Sequence, residues 1–431
     1  MLKKIKTKFY YILTNTYDRI KLKNKLGFNI LIWNLKRVNK IKKKEKINLV
    51  FICHRPSVWG SLDTAFKACN NDDKFNVTII AIPNKKQLPD LGLVHEIYET
   101  EGAENFFKDF PCQVINGYNY KTKEWFNLKK LKPDYVFFQQ PYNICRSKIY
   151  KSNVVSSYSK ILYVHYAANI IGNGVLEETY PKDFIKDVDT IFLQDYEDKK
   201  LISNYLEKIK VKTKTFLTGF PRYDELKKYK NIESDNWNFP KTTNVKRIIW
   251  TPRWCTNEGN CNFFEYKDFL IEYAEKNKDI DFIFRPHPQA FLEWNATGEL
   301  PEKNANEYKK RYEECLNAKI DTNKEYLTTF YSSDFMITDI SSIVAEYFLT
   351  GKPIVYCHKK YCFNDFSRRL SEGFYWVHNK EELKKTIDML KNDEDPLKEK
   401  RQQIIKDNFY INPNGAGYTI KEYIKKDFYG K

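Results

Sequence analysis

Strand-length apolar runs that alternate with stretches of helical period set the strongest limit on how this chain folds. "INLVFIC" (47–53), "FNVTIIAIP" (75–83), "DYVFFQQP" (134–141), "KILYVHY" (160–166) and "DTIFLQD" (189–195) make one series, with a helix expected over 60–72 and a further strand near 213–217. "VKRIIWTP" (245–252), "IDFIFRPHP" (280–288), "FMITD" (335–339) and "PIVYC" (353–357) make a second, with helical period over 263–277 and 341–351. Runs that are apolar on both faces belong to parallel strands covered by helices on each side. The chain therefore reads as an α/β protein with two parallel-sheet domains. At 431 residues it can build two cores. The polar, turn-rich stretch 231–244 predicts a surface loop near the start of the second domain.

Charge is concentrated at one end. Residues 1–46 hold fifteen Lys and Arg against Asp18 and Glu45, so +13 of the formal +17 lies there. Aromatic and aliphatic residues are mixed among these lysines, in "FYYILTNTY" (9–17) and "FNILIWNL" (28–35). Neither run approaches the ~18 apolar residues that span a bilayer. The composition predicts a basic amphipathic arm, residues 1–46, that lies on an anionic membrane surface, with helices packed on the first domain as the alternative. No zinc-finger, helix-turn-helix or RNA-binding signature accompanies the basic arm, so nucleic acid is not expected as a partner. The nine cysteines form no CxxC and no zinc spacing with histidine, which predicts a reducing, cytoplasmic setting and no bound metal.

Ligands of parallel sheets gather at the carboxyl ends of the strands. Those positions carry a consistent chemistry. Arg285-Pro286-His287-Pro288 follows one strand, the prolines fixing the direction of a cationic or hydrogen-bonding pair. Thr251-Pro252-Arg253 follows another, and Arg222 sits in a Gly-Pro turn after the strand near 213–217. Ser341 and Ser342 open a helix after Asp339, where they can cap it, donate to phosphate, or both. In the first domain His54-Arg55 and His165 end strands. His, Arg and Ser at six strand ends suit a phosphorylated ligand.

The ordered motifs "GFPRYDEL", "TPRW", "FRPHP" and "ITDISSIVAEYFLTGKPIVY" resemble those of the CDP-glycerol glycerophosphotransferase family, over roughly residues 160–430. Its members build teichoic acids and related polyol-phosphate capsule polymers. The resemblance implies a GT-B fold, in which two Rossmann-like domains face each other across a cleft. The acceptor domain would be 47–215 and the nucleotide-donor domain 216–431. It implies transfer of a polyol phosphate, foremost glycerol phosphate, from a CDP-polyol to a hydroxyl of a lipid-linked or polymeric acceptor, with CMP released and no cofactor. His165 resembles the family's base, although the family's His-Gly-Thr-Pro reads His-Tyr-Ala-Ala-Asn here. Arg222, Thr251, Pro252, Arg253, Arg285, Pro286, His287, Ser341 and Ser342 resemble the donor-binding set, with His287 also placed among the catalytic residues. Glu346 stands where the family has Asp. The enzyme would work peripherally on the cytoplasmic face of the cell membrane.

In this reading the donor pyrophosphate lies at Ser341 and Ser342, and Arg253, Arg285 and His287 offset charge on the departing CMP. His165 takes the acceptor's proton. Two other readings stay open: a GT-B glycosyltransferase using a nucleotide sugar, and a non-enzymatic membrane- or nucleic-acid-binding protein on the same scaffold.

Overall fold

The computed structural model describes residues 45–85, 97–168, 176–229, 232–240, 244–323 and 325–430, together with 33–35, 37, 38, 40, 41 and 43. The first sheet has seven parallel strands: β1 (Ile47–Cys53), β2 (Phe75–Ala81), β3 (Gln113–Asn116), β4 (Tyr135–Phe138), β5 (Lys160–Val164), β6 (Thr190–Leu193) and β7 (Lys214–Leu217). Their order is β7-β6-β5-β4-β1-β2-β3. The second has six parallel strands: β8 (Lys246–Thr251), β9 (Ile280–Phe284), β10 (Ala318–Ile320), β11 (Phe335–Thr338), β12 (Ile354–Cys357) and β13 (Tyr375–Val377), ordered β10-β9-β8-β11-β12-β13. In each sheet the order in which strands are added reverses once, between β1 and β4 and between β8 and β11. A crevice opens at such a reversal, at the strands' carboxyl ends.

The apolar runs become strands because they are buried on both sides. Leu49, Phe51 and Ile52 of β1, and Ile248, Ile249 and Trp250 of β8, are at most 2% exposed. The strands β3, β10 and β13, not marked in the sequence, are three or four residues long and only partly buried.

Helix α1 (Asp63–Asn70) follows β1, and α2 (Pro221–Asp224) follows β7. Helix α3 (Phe263–Lys276) covers the second sheet, and α4 (Ile343–Phe348) follows β11. The last helix, α5 (Ala416–Tyr429), returns to the first sheet. Asp427 accepts hydrogen bonds from Tyr135 Oη and Lys160 Nζ, both at 2.6 Å, and Tyr423 Oη lies 2.8 Å from Thr190 Oγ1. Its start is fixed by Asp224, whose carboxylate accepts the backbone N–H groups of Ala416 (2.7 Å) and Gly417 (2.9 Å) and the Thr64 hydroxyl (2.8 Å). One motif, "PRYDEL", thus supplies the acidic group that caps a helix almost two hundred residues later.

The chain therefore crosses between the sheets twice, once from β7 to β8 and once ahead of α5. The crossings are tied together: Asn412 Nδ2 donates to the Thr218 carbonyl (2.7 Å), beside Gly219 at φ +81°. A continuous apolar cluster joins the sheets, running from Phe51 and Phe137 through Phe220 and Tyr223 to Ile249, Met336 and Ile354.

Part of the basic arm and of the stretch 231–244 is built into the fold. Trp33 is buried, donates Nε1–H to the Asp134 carbonyl (3.1 Å), and meets Tyr135 and Phe428 edge-on. Lys40 pairs with Asp134 at 2.6 Å, and Arg37 donates to the Asp427 carbonyl. These residues pack on the first unit. The rest of that arm, residues 1–32, lies outside the described residues. The stretch 232–240 is no plain surface loop. Trp237 and Ser234 are buried, Trp237 Nε1 donates to Ser332 Oγ (2.7 Å), and Asp281 accepts from Asn238 and from the Phe239 N–H. Its buried tryptophan, with Ser234 and Asn236 bonded to Thr329 and Asn238 to Asp281, straps it onto the second unit.

Candidate functional site

At the reversal of the second sheet, the β8 and β11 ends are locked together by hydroxyls. Thr251 Oγ1 donates to Thr338 Oγ1 (3.0 Å), and Thr338 Oγ1 contacts the Thr251 carbonyl (2.8 Å). Thr251 and Pro252 are buried and build the floor. Asp339 Oδ1 accepts the Arg253 N–H (2.5 Å), and Oδ2 accepts the Asn262 N–H (3.0 Å). Burial pushes this carboxyl up to about 7, with the two N–H bonds working against the rise. Sequence reasoning passed over Asp339, although an acid at the end of the strand beside the reversal was the available signal.

The Arg253 guanidinium reaches Glu258 (Nε to Oε2, 2.6 Å) and the Ile340 carbonyl (3.3 Å), which sets it beside the Ser341 loop. Ser342 is the first cap of α4, yet its hydroxyl makes no capping bond. Of the two roles open to it in the sequence, capping by its side chain is the one the structure does not use. The Arg285 backbone N–H extends the sheet to the Trp250 carbonyl (2.8 Å), while its guanidinium bonds Asp321 (2.5 Å) and the Asn323 carbonyl (2.7 Å). Pro286 is buried. The His287 ring stacks on Trp254, centroids 5.3 Å apart, and its Nδ1 accepts the Gln289 N–H at 3.2 Å. The proton of the neutral ring therefore sits on Nε2. Desolvation, then Arg55, Arg253 and Arg285, lower this imidazole to about 4. The ring stands on the exposed side of the crevice, where these influences favour its uncharged form with the N–H on Nε2.

Arg222 and Glu346 meet across the units. Arg222 Nε donates to Glu346 Oε2 (3.1 Å), which also accepts from Tyr326 Oη (2.8 Å). Arg222 and Arg285 each lie 4.9 Å from the Tyr326 ring. Glu346 is 7% exposed, and its Oε2 accepts both bonds. Tyr326 therefore joins three of the candidates, and no motif in its polar surroundings announced it. Gly60 is needed here for space: a Cβ would stand 1.7 Å from Arg222 Nη1 and 2.6 Å from its Cδ.

The reversal of the first sheet faces this group. Arg55 is one of the charges bearing on His287 and is itself paired with Glu101 (2.5 and 2.8 Å). His54, buried, has Nε2 2.6 Å from Gln140 Oε1, and Gln139 Oε1 accepts the His54 and Arg55 N–H groups, each at 2.9 Å. His165 follows β5. Its Nδ1 lies 2.5 Å from the Ala167 carbonyl and 3.4 Å from the Ala167 N–H; the shorter contact, to an oxygen that can only accept, favours the proton on Nδ1 and the lone pair on Nε2. Burial lowers both imidazoles to about 4. Among the described residues, no three His, Cys, Asp or Glu side chains gather as metal ligands would.

Two Rossmann-type sheets with a cationic, phosphate-suited cleft at their reversal points define a GT-B type protein. Solved structures agree on the fold. The wall teichoic acid polymerase TagF matches with a TM-score of 0.54 and 13% identity over 94% of this chain and 98% of that one. S. aureus MnaA, in a co-structure with UDP, matches at 0.56 and 14% over 90% and 96%. The sequence profile of the CDP-glycerol:poly(glycerophosphate) glycerophosphotransferase family matches residues 200–415, and the chain belongs to that family. The minor teichoic acid biosynthesis protein GgaB of Bacillus subtilis (strain 168) is 25% identical over 355 residues, which cover 72% of this chain. The chain spans 36% of that relative's length.

Proposed function

We propose that the protein transfers a polyol phosphate, foremost glycerol phosphate, from a CDP-polyol to an acceptor hydroxyl during synthesis of a teichoic acid or capsule-type polymer. Convergence of Arg253, Arg285, the His287 donor and the uncapped Ser342 hydroxyl on one crevice carries this reading. Residues 216–431 supply most of the donor side and 47–215 the acceptor side, while α2, which carries Arg222, and α5 pack with the first sheet. The acceptor oxygen attacks the phosphorus bearing the polyol, and a new phosphodiester forms as the bond to CMP breaks. Arg253 and Arg285 neutralise the departing phosphate, and His287 Nε2–H donates to it. The attacking hydroxyl's proton passes to His165 Nε2, the lone pair left by the bond to Ala167. Glu346 holds Arg222 through Oε2.

A membrane-borne acceptor fits the basic residues 1–32, which would keep the enzyme peripheral on the cytoplasmic face. Among the described residues no helix is long and apolar enough to cross a membrane.

Purified protein with CDP-glycerol, CDP-ribitol and nucleotide sugars, and membrane extract as acceptor, tests the reading. CMP release from a CDP-polyol, lost in H287A and H165A, is the expected result. Release of UDP or GDP alone would make the protein a glycosyltransferase.

A further inference from the structure

The carboxyl edge of the first sheet differs in chemistry from the crevice opposite. The second unit presents guanidinium groups and N–H donors. The first presents two neutral imidazoles, at the ends of β1 and β5, with Gln139 and Gln140 of the β4 end between them. Each ring has one nitrogen closest to an oxygen that can only accept, which favours one tautomer. Gln140 Oε1, at 2.6 Å, favours the proton of His54 on Nε2, and the Ala167 carbonyl favours that of His165 on Nδ1. Each ring's other nitrogen, His54 Nδ1 and His165 Nε2, is buried and finds no partner among the described residues. His54 as a whole is 2% exposed. A buried lone pair left unmatched is costly, so a partner is called for. Gln140 is held in turn: the buried Arg146 donates to its carbonyl and to Asn143 Oδ1 (3.2 Å).

Two lone pairs flanking the first reversal match a ligand that brings hydrogen-bond donors. Anions offer none. We propose that His54 is a second acceptor-binding residue: its Nδ1 accepts a hydrogen bond from a hydroxyl of a polyhydroxylated acceptor while His165 faces the attacking hydroxyl. Gln140 is the positioning residue that keeps Nδ1 unprotonated. This rests on the proposed polyol-phosphate transfer and extends it to the acceptor's class, an uncharged polyol end.

The test is ¹⁵N-histidine NMR on the full chain, whose six histidines give a readable spectrum. Glycerol and glycerol 3-phosphate serve as acceptor probes, and CDP-glycerol as the donor. Free His54 is expected as the neutral Nε2–H tautomer, and both acceptor probes should move its Nδ1 resonance. Kinetics supply the second arm. H54Q keeps a group that can reach Gln140 but loses the acceptor at Nδ1; it should raise KM for a glycerol phosphate trimer about three- to tenfold and leave the donor KM unchanged. H54N, with an amide oxygen near the Nδ1 position, should restore most of that loss. Q140L should give a mixed-tautomer His54 and an acceptor KM raised in the same range. If the donor shifts His287 while neither probe shifts His54, the proposal is overturned and the transferase reading stands. If CDP-glycerol leaves His287 unmoved, the transferase reading falls first. Equal loss of stability in H54Q and H54N, with no change in acceptor KM, would reduce His54 to a packing residue.

Discussion

At Asp339 the sign of a pH effect can be worked out. The folded carboxyl holds its proton up to about 7, while an unfolded aspartate releases it near ~3.9. Between those values the folded chain binds more protons, so this group's contribution to stability falls as pH rises from about 4 to about 7 and is level above. His54, His165 and His287, each lowered to about 4, act in the opposite direction below their ordinary ~6.5. The measurement is therefore a comparison: urea midpoints of wild type and D339N at several pH values should differ by a term that shrinks with rising pH and levels off above 7. Above pH 7 a negative charge also appears beside the Arg253 and Ser341 loops. Affinity for CDP-glycerol should weaken through that range in wild type and stay flat in D339N. Gly60→Ala gives a second residue-scale prediction. The new methyl evicts Arg222 from its place against Glu346, at a cost of about 1–3 kcal/mol in thermal unfolding, and CMP release should fall with it. Unchanged activity in G60A would show that the Arg222–Glu346 contact is dispensable.

At the scale of elements, α5 is the case to press. Ile420, Ile424 and Phe428 are fully buried, and their helix covers the first sheet although it ends the chain. Removing residues 416–431 should leave the first unit unable to fold, because three buried side chains at roughly 1.5–3 kcal/mol each approach a domain's whole stability. Asp224→Ala removes two N–H bonds from the α5 start and should cost about 1–2 kcal/mol, read as a lower urea midpoint with donor KM unchanged. Elements of this kind also separate what the sequence disclosed from what it hid. Long strands such as β1 and β8 were legible because burial on both faces leaves an unbroken apolar run. Short edge strands leave no such run. Arg222, Arg253, Arg285 and His287 were legible because motif and strand end coincided. Tyr326, the Asp224 cap and the role of Glu346 were not, since each depends on a partner more than twenty residues away or at the limit of local pattern. His54 was visible at its strand end, but its unmatched nitrogen exists only in three dimensions.

For the whole molecule, the packing of Trp33 changes how the N-terminal charge should be tested. Deleting 1–46 removes Trp33 from Tyr135 and Phe428, and Lys40 from Asp134, so the first unit should lose stability and activity together. Deleting 1–32 spares these contacts. That shorter variant should release CMP at the wild-type rate with a soluble acceptor and lose co-sedimentation with anionic vesicles. Retained vesicle binding would place the membrane contact elsewhere. The double passage of the chain between its halves has a mechanical consequence. Two lengths of backbone, stitched at Thr218 and Asn412, resist twisting and wide separation far better than one tether would. What remains easy is a swing about the line through both, as a door moves on paired pins. A reaction that must admit a long polymer end and then exclude water would be served by such a single, repeatable path of opening.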